Sequence, residues 1–247
     1  MTAIILPVIV LGSCIGSFLN VIIVRLPKKL PFIFNRSQCP SCKKQLNIID
    51  LFPIISWLLL RGKCRFCNSF ISIRYLLIEL ITSFLFTLCL VSRGEIGIVS
   101  SGLFTVISGW ILVSYLILLC FIDIDNMILP DSITLSGSLV GFLLILYYDF
   151  FIKNSSDYIL LEHLIAYIVA LFGTLIFSYI VKLIINKPGL GSGDAKLFAM
   201  TGAWLGFNGL EVTITLSFLL SAIFVLFGLI LRLIKRGEYI PFGPFIC

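Results

Sequence analysis

Charge is scarce in this chain. Only 12% of its 247 residues are charged, 60% are hydrophobic, and the mean hydropathy is +1.15. A soluble domain is nearer half apolar and a quarter charged, so a water-soluble globule is excluded and an integral membrane protein is indicated. Histidine is almost missing: His163 stands alone, and the order of apolar runs puts it on the side opposite the acidic motifs. That argues against a histidine-based triad and against a His-ligated zinc protease. A basic n-region is missing too, and the first apolar run is too long for a cleavable signal peptide. There is no internal repeat and no low-complexity segment.

The charge that remains is unevenly placed. Ten of the 18 Lys and Arg residues lie between Arg25 and Arg74. In a chain this apolar, such a cluster reads as a cytoplasmic loop obeying the positive-inside rule, not as a nucleic-acid surface. Residues 1–24 are uncharged and predict a first transmembrane helix ending inside. Residues 25–71 predict a small cytoplasmic domain. Further spans are predicted at about 72–92, 96–122, 132–148, 160–181, 195–209 and 212–231. The short segment at 195–209 falls below the roughly 20 residues that a spanning helix needs. The fold class is therefore all-α and polytopic, with about seven transmembrane helices. In this count the loops at 93–96, 149–158 and 209–211 lie outside, while those holding Asp123, Asp194 and Arg232–Arg236 lie inside.

Four of the eight cysteines form two C-x2-C knuckles, Cys39-Pro40-Ser41-Cys42 and Cys64-Arg65-Phe66-Cys67, with 21 residues between them. Four thiolates so spaced are the ligand set of a structural zinc site. A cytoplasmic loop disfavours disulfides, and a metal would hold together a domain too small for its own core. Cys14, Cys89 and Cys120 lie in apolar runs and read as packing residues. Nothing is read from Cys247.

Asp123 closes one long apolar run, and Asp194 follows the glycine-rich stretch 189–193. An ionisable group beside lipid is a candidate functional site. Asp131, in Pro130-Asp131-Ser132 before an apolar run, reads as a helix N-cap. Asp125 reads equally as a solvated charge, a metal ligand or a catalytic group. Asp194 could cap a helix beginning at Ala195 or act chemically. A pair of carboxylates on one side of a membrane is the equipment of aspartic-protease chemistry. A cation-relaying transporter would place its acids deeper within the spans.

Taken together, these segments resemble the type IV prepilin peptidases, also called leader peptidase/N-methyltransferases. The resemblance rests on GSCIGSFLNVIIVRLP at Gly12–Pro27, SWLLLRGKCRFC and ISIRYLLIEL around the second knuckle, FIDIDNMILPDSIT, GLGSGDAKLFAMTGAWLG, and the tail IPFGPFI. It covers nearly the whole chain. It implies a catalytic pair at Asp123 and Asp194, with zinc on Cys39, Cys42, Cys64 and Cys67. It further implies cleavage of prepilin or pseudopilin leaders at the cytoplasmic face of the bacterial inner membrane. Methylation of the new N-terminal residue by S-adenosylmethionine is also implied, with no residues assigned to that cofactor. The domain layout it implies is 1–24, 25–71 and 72–247, the last being the peptidase. Tyr75-Leu76 stands where the family usually has Tyr-Pro. Family members usually continue past PFGPFIC into one more helix, so an eighth span is expected to be absent. An inactive relative acting as an assembly scaffold is the alternative in that case.

Overall fold

Apolar runs bounded by glycine, proline and charge become helices here, and little else. In the computed structural model, residues 2–31, 37–94, 99–153, 159–186, 189–233 and 240–247 are described. Lys187, Lys235 and Arg236, and parts of the expected loops at 93–96 and 149–158, lie outside them. Among the described residues the elements are helices and turns with two isolated β-bridges, Gln38 with Gln45 and Lys63 with Phe70. Six helices among the described residues are long and apolar enough to cross a membrane, by length and composition. Their outward faces carry exposed residues such as Leu139, Phe172, Ile176 and Phe224. Apolar faces of that extent need a non-aqueous surrounding, and the chain is a multi-pass membrane protein.

The chain divides into two units, residues 1–118 and 119–247. The first holds α1 (Thr2–Arg25), a short turn of 3-10 helix (Ile48–Leu51), α2 (Ile55–Leu59), α3 (Ile73–Gly94) and most of α4 (Val99–Asn126). Gly12 and Gly16, one helical turn apart, let α1 and α3 meet backbone to backbone. A Cβ at Gly12 would lie 2.7 Å from Ser83 Cα, and one at Gly16 would lie 2.8 Å from Glu79 Cα. Small residues at this spacing are how helices approach closely where no hydrophobic effect drives them together. One turn further along, the Asn20 amide donates to the Tyr75 carbonyl at 3.1 Å. Phe86 and Trp110 stack at 5.3 Å, and the Trp110 indole donates to the Phe86 carbonyl at 2.9 Å.

The second unit holds the end of α4, α5 (Asp131–Tyr147), one turn of π-helix (Tyr148–Lys153), α6 (Ile159–Ile185), α7 (Ser192–Ile230) and α8 (Gly243–Ile246). Gly202 of α7 sits against the Ala166 carbonyl of α6, which a Cβ would approach to 2.9 Å. Trp204 of α7 fits over Gly141 of α5 and donates to the Gly137 carbonyl at 2.8 Å.

The sequence predicts separate segments at 195–209 and 212–231 with a loop at 209–211. The structure likewise holds two helical stretches, which follow one another as α7 over 39 residues, but they part at Gly206, whose φ of 66° and ψ of −165° are not helical, and not at a loop over 209–211. A straight helix of that length would extend about 58 Å at 1.5 Å per residue, well beyond a ~30 Å hydrocarbon core. Only glycine adopts that conformation readily. Beside the break, the His163 ring meets the Ala203 carbonyl at 2.9 Å, so its Nδ1–H donates there. The single histidine is thus a structural donor at the kink.

Candidate functional site

The two cysteine knuckles, both in the first unit, share one turn geometry. In the first, the Lys43 N–H donates to the Cys39 carbonyl at 2.9 Å and the Cys39 N–H to the Lys44 carbonyl at 3.0 Å. In the second, the Asn68 N–H donates to the Cys64 carbonyl and the Cys64 N–H to the Ser69 carbonyl, each at 2.9 Å. Lys43 and Asn68, the residues following each second cysteine, both adopt left-handed φ values, 56° and 55°. Each turn therefore presents its two thiols to one side. All four sulfurs lie within 4.8 Å of one another. Cys39 Sγ and Cys67 Sγ are 3.8 Å apart. Four sulfurs at about 2.3 Å around a tetrahedral zinc would stand roughly 3.8 Å apart, so the donor set fits such an ion.

Electrostatics within the cluster favour a cation. The Cys42 backbone N–H is the chief influence holding the Cys39 thiol down at about 6. The Ser69 hydroxyl, 3.0 Å away, is the chief influence lowering Cys67. At Cys42 the Lys44 N–H pulls downward, but burial and the sulfurs of Cys39, Cys67 and Cys64 outweigh it and push the thiol up to about 11. Four thiolates this close repel one another, and a divalent ion is what lets them coexist.

The aspartate site lies in the second unit. Asp123 occupies the last turn of α4, which ends when Met127 takes a left-handed φ of 51° and its N–H donates to the Asp123 carbonyl at 2.8 Å. A step of 100° per residue sends Asp123 and Asp125 to opposite sides of the helix. Asp123 is 5% exposed, while Asp125 faces outward. The buried carboxylate is not orphaned: Gly243 N–H, at the start of α8, donates to Asp123 Oδ2 at 2.9 Å. A Cβ at Gly243 would stand 2.6 Å from that oxygen. The block around Gly243 is held by rings, with Phe242 5.4 Å from Phe218 and 6.2 Å from Phe198, and Phe245 5.4 Å from Phe224.

Asp194 is the third residue of α7. The helix begins at Ser192 after Gly191, three residues earlier than the start at Ala195 that a capping Asp194 would require. Asp194 Oδ2 instead accepts the Gly191 N–H at 3.1 Å, so the carboxylate braces the helix start from within. It also interacts electrostatically with Asp123. The glycine loop before it is pinned to α6 by a reciprocal pair: the Ser178 hydroxyl donates to the Leu190 carbonyl at 2.8 Å and accepts the Leu190 N–H at 3.2 Å. Gly193 packs against Leu129, which a Cβ would approach to 3.0 Å.

Asp131, expected as an N-cap, is the first residue of α5, and Pro130 holds the cap position. Asp131 pairs with Lys196 Nζ at 2.6 Å. The segments FIDIDNMILPD and GSGDAK are thus joined at Leu129–Gly193 and Asp131–Lys196. The PFGPF block is expected on the side of the aspartates, but neither the Gly243 donor nor Lys196 is singled out by the sequence. Their only sequence signals are their places within PFGPF and directly after GD-Ala.

Residues 10–93 match the bacterial peptidase A24 N-terminal domain, and residues 110–226 match the type IV leader peptidase family. Several proteins named prepilin leader peptidase/N-methyltransferase are similar along most of their length. The one from Neisseria gonorrhoeae is 36% identical over 95% of this chain and 84% of its own. That from Aeromonas hydrophila is 35% identical over 94% and 83%. That from Legionella pneumophila is 36% identical over 94% and 84%. No solved structure matches the chain.

Proposed function

The chain belongs to the type IV leader peptidase family, and from that premise we propose that it is an aspartic endopeptidase for prepilins or pseudopilins, with Asp123 and Asp194 as its catalytic pair. The observation that carries this reading is the pairing itself. A buried, hydrogen-bonded carboxylate at the end of α4 and a second at the start of α7 stand on two segments that meet at Leu129–Gly193 and Asp131–Lys196. Two carboxylates sharing a site act as one base and one acid. The ionised member takes a proton from water as the oxygen adds to the scissile carbonyl carbon. The protonated member hydrogen-bonds the carbonyl oxygen. A proton then passes to the leaving amine as the C–N bond breaks, and the pair returns to its starting state. Gly193 leaves room for Leu129, which lies on the Asp123 side of the site, to pack against the Asp194 segment.

The wider reading is an enzyme of the bacterial inner membrane that cuts prepilin leaders at the cytoplasmic face. It then methylates the new N-terminal amine. S-adenosylmethionine would supply the methyl group, and no residue here is assigned to it. Residues 25–71 form the cytoplasmic domain, with a structural zinc on Cys39, Cys42, Cys64 and Cys67, and residues 72–247 form the peptidase. The test is mass spectrometry of a candidate prepilin N-terminus after coexpression with the wild type, Asp123→Asn and Asp194→Asn. Leader loss and the gain of one methyl group on the exposed amine are expected with the wild type. Both variants should leave the leader on. Cleavage at the wild-type rate by either variant would refute the pair.

A further inference from the structure

One surface of the first unit is out of place in water. Ile49, Phe52, Ile55, Leu59 and Leu60 line a single depression together with Ser56 and Arg65. Ile49, Phe52, Ile55 and Leu59 are all exposed, Leu59 at 77%. The neighbouring Leu58 is exposed too. This apolar patch lies in a segment whose charge is strongly one-sided: between residues 25 and 71 there are nine Lys and Arg and a single acid, Asp50. That acid is engaged by Arg65 at 2.8 Å.

A backbone link sets the depth of the patch. The Ile54 N–H, directly before α2, donates to Glu79 Oε2 at 2.7 Å. Ile54 holds a left-handed φ of 61° there, a rare and strained conformation for a β-branched residue. Glu79 lies inside the candidate span Ile73–Ser92. It is six residues along α3, or about 9 Å at 1.5 Å per residue. The headgroup layer on one side of a bilayer is roughly 5–7 Å thick. A segment anchored at that level lies at the boundary between headgroups and acyl chains.

We propose that residues 49–60 are a membrane-interface element. The side chains of Ile49, Phe52, Ile55, Leu58 and Leu59 enter the acyl boundary of the leaflet that α1 and α3 reach, and the surrounding cations meet lipid phosphate. Interfacial helices combine an apolar face and basic surroundings in this way. Trp57, in the middle of α2, is a residue type enriched at that level of a bilayer. The loop between the first two spans is then partly embedded, and its two cysteine knuckles flank the embedded stretch. The inference rests on the spanning helices and on the Ile54–Glu79 bond, not on the peptidase reading.

The experiment uses the full chain in lipid nanodiscs, with a fluorescent coumarin amino acid replacing Leu59. Because that side chain is mostly exposed, the replacement leaves packing intact. The same probe at Leu139, on the outward face of α5, serves as the lipid-facing reference. Doxyl-labelled lipid is expected to quench position 59 as strongly as position 139, and iodide to leave both bright. Quenching at 59 by iodide would mean a water-facing loop and would overturn the proposal. Quenching by neither agent would mean that protein covers the patch, and would overturn it equally.

Discussion

Asp123 depends on a main-chain donor that has no room for a side chain beside it. In Gly243→Ala the new Cβ would collide with Asp123 Oδ2, so either the carboxylate or α8 must shift. A displacement of about 1 Å in a catalytic group costs on the order of a hundredfold in rate. We expect kcat for prepilin cleavage to fall by that order with KM little changed, as steady-state kinetics on a peptide substrate will report. Equal losses in substrate binding would point instead to a disrupted fold. At this scale the sequence was only partly legible. It marked Asp123, Asp125 and Asp131 as a group, but their roles depend on which face of α4 is buried and on where α5 starts. The Ile54–Glu79 bond had no signature, because its donor is a backbone amide 25 residues from its acceptor.

Elements carry the next set of consequences. Gly206 holds a conformation that costs other residues about 1–3 kcal/mol. Gly206→Ala is therefore expected to lower thermal stability in detergent by that order, with His163 and Glu162 crowded as well. An unchanged unfolding temperature would mean that α7 tolerates a straight path. The sequence placed this interruption near 209–211, where Gly209 follows Asn208. Nothing local separates Gly206 from Gly209, and the choice comes from packing against α6. The cysteine knuckles were far more legible, because ligand type and turn chemistry are both written in C-x2-C. Metal analysis should find about one zinc per chain. Cys64→Ser should lose that metal and loosen residues 37–71 in hydrogen exchange, while the spanning helices stay protected.

For the whole molecule, composition alone settled the solvent: a chain this poor in charge belongs in a bilayer. The run from 192 to 230 was harder, since hydropathy registered a break there but put it at 209–211, whereas packing against α6 puts it at Gly206. The division at residues 118 and 119 separates the two chemistries. All four thiols lie before it, and both aspartates with their hydrogen-bond partners lie after it. Groups with no shared partners behave additively. The double variant Asp123→Asn/Asp194→Asn is thus expected to retain the wild-type zinc content while cleaving nothing. Loss of metal in that variant would show that the two halves depend on each other for folding.

The Gly243 donor also bears on how loss-of-function data from this chain should be read. A hydrogen bond supplied by the peptide unit is not deleted by truncating a side chain, and glycine has none to truncate. A scan that truncates side chains would pass over position 243, or would report only the bulk that a methyl group adds. Removing the interaction itself takes an ester in place of the Phe242–Gly243 amide, which deletes one N–H and keeps the shape. A substitution map built from side chains alone would therefore assign Asp123 too few partners.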